Sequence, residues 1–80
     1  MRGLRLYHRS GCHLCEDMLS DLQRYQGERP FSLELIDIDA HTDLLQRYSD
    51  RVPVLESGSG RLLCEAFLDP VALLSYLDGG

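Results

Sequence analysis

The sequence predicts one α/β domain, residues 1–80, whose elements follow the order strand, helix, strand, helix, strand, strand, helix (βαβαββα). Three observations indicate this fold class. Short apolar runs typical of strands alternate with longer segments in which apolar residues recur at helical spacing. A serine- and glycine-rich stretch at residues 57–60 separates two of the apolar runs, as in a hairpin. A chain of 80 residues is enough for one such unit and too short for two.

The first half of the chain predicts a strand, a long helix and a second strand. Residues 4–8 alternate in hydropathy and are followed by a Ser-Gly pair, which is typical of a strand that stops at a turn. A helix is expected from Cys12 onward, with Gly27 as its C-terminal stop. Residues 31–38 carry apolar side chains on both parities, which predicts burial on both faces, as in internal parallel strands. The apolar positions that predict the helix are Cys15, Met18, Leu19, Leu22 and Tyr25.

The second half begins with a short helix and a hairpin. Asp39 is the expected N-cap of the short helix, which carries apolar residues between positions 44 and 48. An apolar run at residues 52–55 begins the third strand. Residues 54–56 and 61–65 flank the serine- and glycine-rich turn, so we expect them to pair as a β-hairpin.

A last helix closes the chain. Asp69 is a favourable N-cap, and Pro70 then takes the first helical position, where the N–H that proline lacks is not needed. Val71, Leu74 and Leu77 are expected to form the buried stripe of this helix.

Composition and charge exclude two classes of partner. The net charge is −5, all eight basic residues are scattered arginines, and no basic stripe is present to neutralise a phosphate backbone. No apolar stretch approaches the ~20 residues that span a bilayer, and residues 1–7 lack the apolar core of a secretion signal. We therefore expect a cytoplasmic monomer that binds neither nucleic acid nor membranes.

The three cysteines indicate redox chemistry or metal binding. Their number is odd and too low for the disulfide framework of a small secreted domain. Cys12 and Cys15 are three apart at a helix start, where Cα atoms lie roughly 5 to 6 Å apart and a disulfide can close. Unpaired N–H groups and the helix dipole favour a thiolate at Cys12, whereas Cys15 lies on the apolar stripe. Cys12 is thus the expected nucleophile and Cys15 the resolving thiol.

Other readings of these residues stay open. Glu16 and Asp17 oppose a thiolate at Cys12, whereas a protonated His13 would support it, so direct hydrogen bonds to the sulfur should decide the balance. A zinc site built on the pair with His8 and His13 would lack a second Cys-x-x-Cys, so no metal is expected. The fold can also serve as a binding module or a metal or iron-sulfur carrier, with the two cysteines as ligands.

Two residues outside the pair have structural or undecided roles. Cys64, inside the fourth strand, is most simply a small buried apolar residue. Tyr7, at the end of the first strand, is either a packing residue or a wall of a substrate groove.

The chain resembles the thioredoxin superfamily, and within it the glutaredoxin-like proteins. The resemblance spans nearly all 80 residues: a strand, a Cys-His-Leu-Cys motif at residues 12–15, Val52-Pro53 before a hairpin, and a final helix. It implies a four-stranded mixed sheet flanked by three helices, and a thiol-disulfide oxidoreductase that uses Cys12 and Cys15. It also implies that Pro53 is cis and that the backbone of Val52 is the docking edge for a peptide or glutathione.

Further positions follow from the same resemblance. Arg9 occupies the place where glutaredoxins often carry a basic residue that meets a glutathione carboxylate, and Asp69 is near the acidic position at the start of the last helix. Glu65, Ala66 and Phe67 replace the glycine pair usual in glutaredoxins, which disfavours close backbone approach of glutathione. The resemblance therefore implies a divergent branch with no tightly bound cofactor and with a disulfide-bearing protein or glutathione as co-substrate.

Overall fold

The computed structural model describes residues 2–79 and shows a mixed sheet flanked by helices. Its element order confirms the βαβαββα prediction, with a short 3₁₀ helix, Ile38–Ala40, added before the second helix. The strands lie in the order β2-β1-β3-β4, with β1 and β2 parallel and the other pairs antiparallel. The strands are β1 (Gly3–His8), β2 (Ser32–Asp37), β3 (Val54–Ser57) and β4 (Leu62–Glu65), and the helices are α1 (His13–Glu28), α2 (Thr42–Tyr48) and α3 (Pro70–Leu77).

The strand register gathers four chain segments at one end of the sheet. Tyr7 of β1 pairs with Ile36 of β2 and with Val54 of β3, and Val54 in turn pairs with Glu65 of β4. The segments that follow β1, β2 and β4 and the segment that precedes β3 therefore leave the sheet on the same side. We refer to this end as the site end.

The sheet separates two apolar clusters. The larger one joins α1 and α3 to the sheet, and the smaller one lies under the 3₁₀ helix and α2. Alternation of side chains along β1 explains the division, because neighbouring residues such as Leu6 and Tyr7 face opposite clusters. The buried residues of the larger cluster are Leu4, Leu6, Met18, Leu22, Phe31, Leu55, Leu73 and Tyr76.

Two expectations for the first half were wrong. Gly27 does not end α1, which continues to Glu28. Instead Arg29 leaves the helix with extended dihedrals, φ −134° and ψ 103°, because a residue before proline is disfavoured in the helical region. Strand β2 is not internal but lies at the sheet edge, and Leu35 is 48% exposed. Apolar residues on both parities of a strand therefore do not distinguish an internal strand from an edge strand.

The start of α2 and the buried face of α3 also differ from expectation. Asp39 does not cap α2; its N-cap is His41, without a side-chain hydrogen bond. Asp37 caps the 3₁₀ helix by accepting from the Asp39 N–H at 3.0 Å, so the turn starts earlier than expected. In α3, Val71 is 78% exposed, and the buried positions are Leu73 and Tyr76. The apolar residues of α3 fit two stripes, and packing against the sheet selects the second.

The predicted cap of α3 is present and gives a stability test. Oδ1 of Asp69 accepts hydrogen bonds from the N–H groups of Val71 at 3.0 Å and Ala72 at 3.3 Å. We expect Asp69→Ala to lower the free energy of unfolding by about 1 kcal/mol, and Asp69→Asn, which keeps an acceptor, to lower it less. Urea unfolding of both variants checks this order. No loss with alanine would show that the cap contributes nothing, and an equal loss with asparagine would show that its side-chain oxygen does not replace the carboxylate.

A carboxylate with two tyrosine donors braces the α2 side of the sheet. The hydroxyl groups of Tyr7 and Tyr48 donate to the two oxygens of Glu56, each at 2.9 Å, and their ring centroids are 4.8 Å apart. Both side chains are buried in the smaller cluster. Tyr7 is therefore a packing residue, which decides between the two roles left open for it. Burial, and then the hydrogen bond to Glu56, raises the pKa of both phenols above the ordinary value.

These raised pKa values predict a loss of stability in alkali. In the unfolded chain a tyrosine ionises near pH ~10, so above that pH the unfolded state releases protons that the folded state retains. Stability supplied by Tyr7 and Tyr48 is thus intact below about pH 10 and falls as the pH rises. Urea unfolding at several pH values should show this fall, and the Tyr7→Phe, Tyr48→Phe double variant should show a shallower one. Both proteins should also carry Cys64→Ser, because the Cys64 thiol is a third group with a raised pKa. Parallel curves for the two proteins would contradict the assignment.

Candidate redox site

Cys12 and Cys15 lie at the N-terminus of α1, where β1 leaves the sheet. Cys12 is the N-cap, with extended dihedrals, and Cys15 lies in the first turn. Their Cα atoms are 5.2 Å apart and their sulfur atoms are within disulfide-bonding distance. Cys15 is 3% exposed, whereas Cys12 is only half-buried. Cys12 is therefore the more accessible of the two cysteines to a reagent in solution.

A main-chain hydrogen bond reaches the exposed sulfur. The N–H of Cys15 donates to Sγ of Cys12 at 3.2 Å, so the sulfur takes the place of the usual N-cap oxygen. The 16-residue α1 also directs the positive end of its dipole at this sulfur. Both interactions stabilise a thiolate more than a thiol, because they are stronger when the acceptor is charged. Cys12 thus has the local environment of a nucleophilic cysteine.

The charged residues next to the pair associate with each other. Nδ1 of His13 lies 3.9 Å from a Glu16 oxygen, and Nε2 of the same ring lies 3.6 Å from an Asp17 oxygen. All three side chains are more than half exposed, so these contacts contribute little to stability. They leave the first turn of α1 with an acidic outer surface.

A shallow cavity lies beside the buried cysteine. Its volume is about 70 Å³, well below the ~300 Å³ of ordinary small-molecule pockets. A substrate would therefore contact the surface around the cysteines and would not be enclosed. The lining residues are Leu6, His8, Arg9, Cys15, Glu16 and Leu19.

The Val52–Pro53 peptide bond is cis, as the resemblance implied. Pro53 precedes Val54, which pairs with Tyr7, so the proline lies at the site end next to the segment that carries the cysteines. The N–H of Val52 donates to the carbonyl of Tyr48 at 3.1 Å. Of the two main-chain polar groups of Val52, only the carbonyl oxygen is therefore left for the docking that the resemblance implies.

The residues expected to meet glutathione already have partners. Nη2 of Arg9 donates to Oδ1 of Asp39 at 2.9 Å, a contact that sequence spacing gave no means to predict. Asp69 lies at the site end as well, but on α3, where its carboxylate caps the helix. The structure thus places Arg9, Pro53 and Asp69 at one end of the sheet, with the charged groups of Arg9 and Asp69 already hydrogen-bonded within the chain.

The loop that replaces the usual glycine pair is tied to the proline. The N–H of Ala66 donates to the carbonyl of Pro53 at 2.9 Å, and Ala66 has a positive φ of 68°. This is the backbone region that glycine adopts most readily, and a small residue such as alanine is strained there less than a bulky one. Phe67, the next residue, is 69% exposed. The sequence predicted Phe67 only as a bulky residue that disfavours glutathione, because its pattern does not show whether a loop side chain is packed or exposed.

Cys64 is separate from the pair. It is half-buried in β4 and packs against the larger apolar cluster. Burial raises the pKa of the Cys64 thiol; a hydrogen bond from the Asp69 backbone opposes this rise, and the Asp69 carboxylate adds a smaller increase. Its interpretation as a small apolar residue agrees with this environment.

A mixed sheet in the order β2-β1-β3-β4, two neighbouring cysteines at the first helix and a cis-proline at the same end define the thioredoxin-like class. The sequence assigns the family within that class. Residues 3–77 match the family model of the Glutaredoxin-like domain (DUF836), and the chain belongs to this family.

Solved structures support the same assignment. The chain is 43% identical to protein Ne2328 from Nitrosomonas europaea, with a TM-score of 0.84 over 94% of this chain and 89% of that one. Protein XcR50 from X. campestris is 32% identical, with a TM-score of 0.76 over 96% and 97% of the two chains. Oxidized mitochondrial thioredoxin 3 from Saccharomyces cerevisiae shares the fold, at 19% identity and a TM-score of 0.68 over 96% and 76%. No curated protein sequence matches the chain.

The described residues offer neither a metal-binding cluster nor a membrane-spanning helix. Within residues 2–79, the His, Cys, Asp and Glu side chains do not form a group of three or more that could hold a metal ion. In the same part of the chain, every helix is too short or too polar to cross a membrane.

Proposed function

We propose that the protein is a thiol-disulfide oxidoreductase that reduces protein disulfides or glutathione mixed disulfides through Cys12 and Cys15. The observation that carries the proposal is the hydrogen bond from the Cys15 N–H to Sγ of Cys12 at an accessible helix N-terminus. This bond stabilises the thiolate form, and the 5.2 Å between the Cα atoms lets the second sulfur close onto the first.

The reaction consists of two exchanges. The Cys12 thiolate attacks one sulfur of the substrate disulfide, which forms a mixed disulfide and releases the other half of the substrate as a thiolate. Cys15, deprotonated by solvent or by the leaving thiolate, then attacks Sγ of Cys12 and releases the second half. Two electrons pass to the substrate, and the protein is left with a Cys12–Cys15 disulfide. An external dithiol or monothiol reductant must return it to the dithiol form.

A turnover assay tests the proposal. The fully reduced protein is mixed with insulin or with a glutathione mixed disulfide, in the presence of dithiothreitol or glutathione. We expect reduction well above the rate with the reductant alone, and the same rate for Cys64→Ser, because that cysteine lies outside the pair. The absence of turnover with every reductant would contradict an enzymatic role.

Metal analysis separates this function from the carrier alternative. Protein purified without oxygen should contain less than stoichiometric zinc and iron, because a metal bound at Cys12 and Cys15 would occupy both thiolates. A stoichiometric metal that Cys12→Ser removes would instead support a carrier.

A further inference from the structure

We propose that the substrate disulfide belongs to a polypeptide segment with apolar and basic side chains, and that glutathione disulfide is a poor substrate. This inference rests on the proposed oxidoreductase function and narrows its substrate class. Three properties of the site end support it: exposed apolar side chains, anion sites that are already occupied, and an excess of carboxylates.

Two exposed apolar side chains lie in the loop after β4 and in the first turn of α3. Phe67 is 69% exposed and Val71 is 78% exposed, although an aromatic and a β-branched residue are usually buried. The loop that carries Phe67 is held to the site by the hydrogen bond from Ala66 to Pro53. These two side chains therefore offer an apolar contact to whatever docks at the proline.

The groups that could bind the carboxylates of glutathione are satisfied within the chain. Arg9 donates to Asp39 at 2.9 Å, and Nε of Arg51 donates to Glu65 at 2.8 Å. The N-terminus of α3 would otherwise attract an anion. Its first residue, Pro70, has no N–H, and the next two N–H groups donate to Asp69.

The remaining charge at the site end is negative. Glu16 and Asp17 are exposed in the first turn of α1, next to Cys12, and the Asp69 carboxylate lies at the start of α3 on the Phe67 side. Glutathione carries two carboxylates and one ammonium group, so this surface repels it. A basic segment is attracted instead, and the on-rate of a complementary partner can rise by about 10 to 1000 times.

The test compares three disulfides in single turnover with fully reduced protein. The first is a disulfide-linked peptide dimer with leucine and arginine beside the cysteine; the second has glutamate in place of arginine; the third is glutathione disulfide. Each rate of Cys12–Cys15 oxidation is divided by the rate at which dithiothreitol reduces the same compound, which removes differences in intrinsic reactivity. We expect the basic dimer to exceed both anionic compounds at least about tenfold at low salt, and the difference to shrink as salt is added.

Variants assign the preference to its residues. Phe67→Ala should lower the rate with the basic dimer severalfold, whereas Leu62→Ala, an exposed leucine elsewhere on β4, should not. The Glu16→Gln, Asp17→Asn double variant should reduce the difference between the oxidation rates measured with the basic and the acidic dimer. If glutathione disulfide oxidised the pair at a normalised rate equal to or above that of the basic dimer, the inference would be overturned and the proposed function would stay intact. Failure of all three disulfides to oxidise the pair would instead overturn the proposed function.

Discussion

Replacement of Cys12 by serine is expected to abolish disulfide reduction, with a loss of roughly a thousandfold or more, because no other accessible thiol lies at the N-terminus of α1. Cys15→Ser should give a different result. Its Cys12 thiolate still attacks the substrate, but the mixed disulfide is not resolved and accumulates. Non-reducing electrophoresis and mass spectrometry of the adduct measure this. The buried position of Cys15, at 3% exposed, is the physical reason for the asymmetry.

The control for this pair of variants is Cys64→Ser. Cys64 is half-buried in β4, and its thiol has a raised pKa, so its removal should change neither the rate nor the trapped adduct. A substrate adduct formed through Cys15 in the Cys12→Ser variant would reverse the assigned roles. An adduct through Cys64 would show that the fold opens and exposes this half-buried thiol more readily than its packing indicates.

Replacement of Leu6 by alanine is expected to destabilise the fold more than any surface change. Leu6 is 0% exposed in the central strand β1 and belongs to the cluster that joins both α1 and α3 to the sheet. Truncation of a buried leucine costs about 2 to 5 kcal/mol through lost burial and the cavity left behind. A domain of this length has a total stability of roughly 4 to 12 kcal/mol, so the variant should be partly or largely unfolded at moderate temperature.

Leu62→Ala is the matched control for Leu6→Ala. Leu62 is 48% exposed on the edge strand β4, and its truncation should change the free energy of unfolding by less than about 0.5 kcal/mol. Urea unfolding of the oxidised proteins, followed by circular dichroism, measures both changes. Similar losses at the two positions would contradict the burial difference between them.

The sequence predicted the parts of the site that depend on neighbouring residues. Spacing of three at a helix start brings Cys12 and Cys15 within bonding distance, and the apolar stripe of the helix buries the second of them. The Asp-Pro start of α3 and the turn between β3 and β4 were also predicted, because capping and turn chemistry act over a few residues.

The resemblance to glutaredoxin-like proteins supplied what spacing could not. The strand order β2-β1-β3-β4 and the cis peptide before Pro53 follow from the family and from no local pattern in this chain. The same resemblance implied a role for Arg9 toward glutathione, which remains a prediction, since its guanidinium is paired with Asp39.

Local chemistry therefore determined the order of elements, the two hairpin strands and the placement of the redox pair, because each depends on periodicity or capping within a few residues. Only the tertiary structure decided which strand is an edge, that Val71 faces solvent while Leu73 is buried, and that Arg9 and Asp39 pair across thirty positions. A hydrophobic pattern records how apolar a face is but not what packs against it. Exposure and ion pairing at the site end are set by segments that meet only when the sheet assembles.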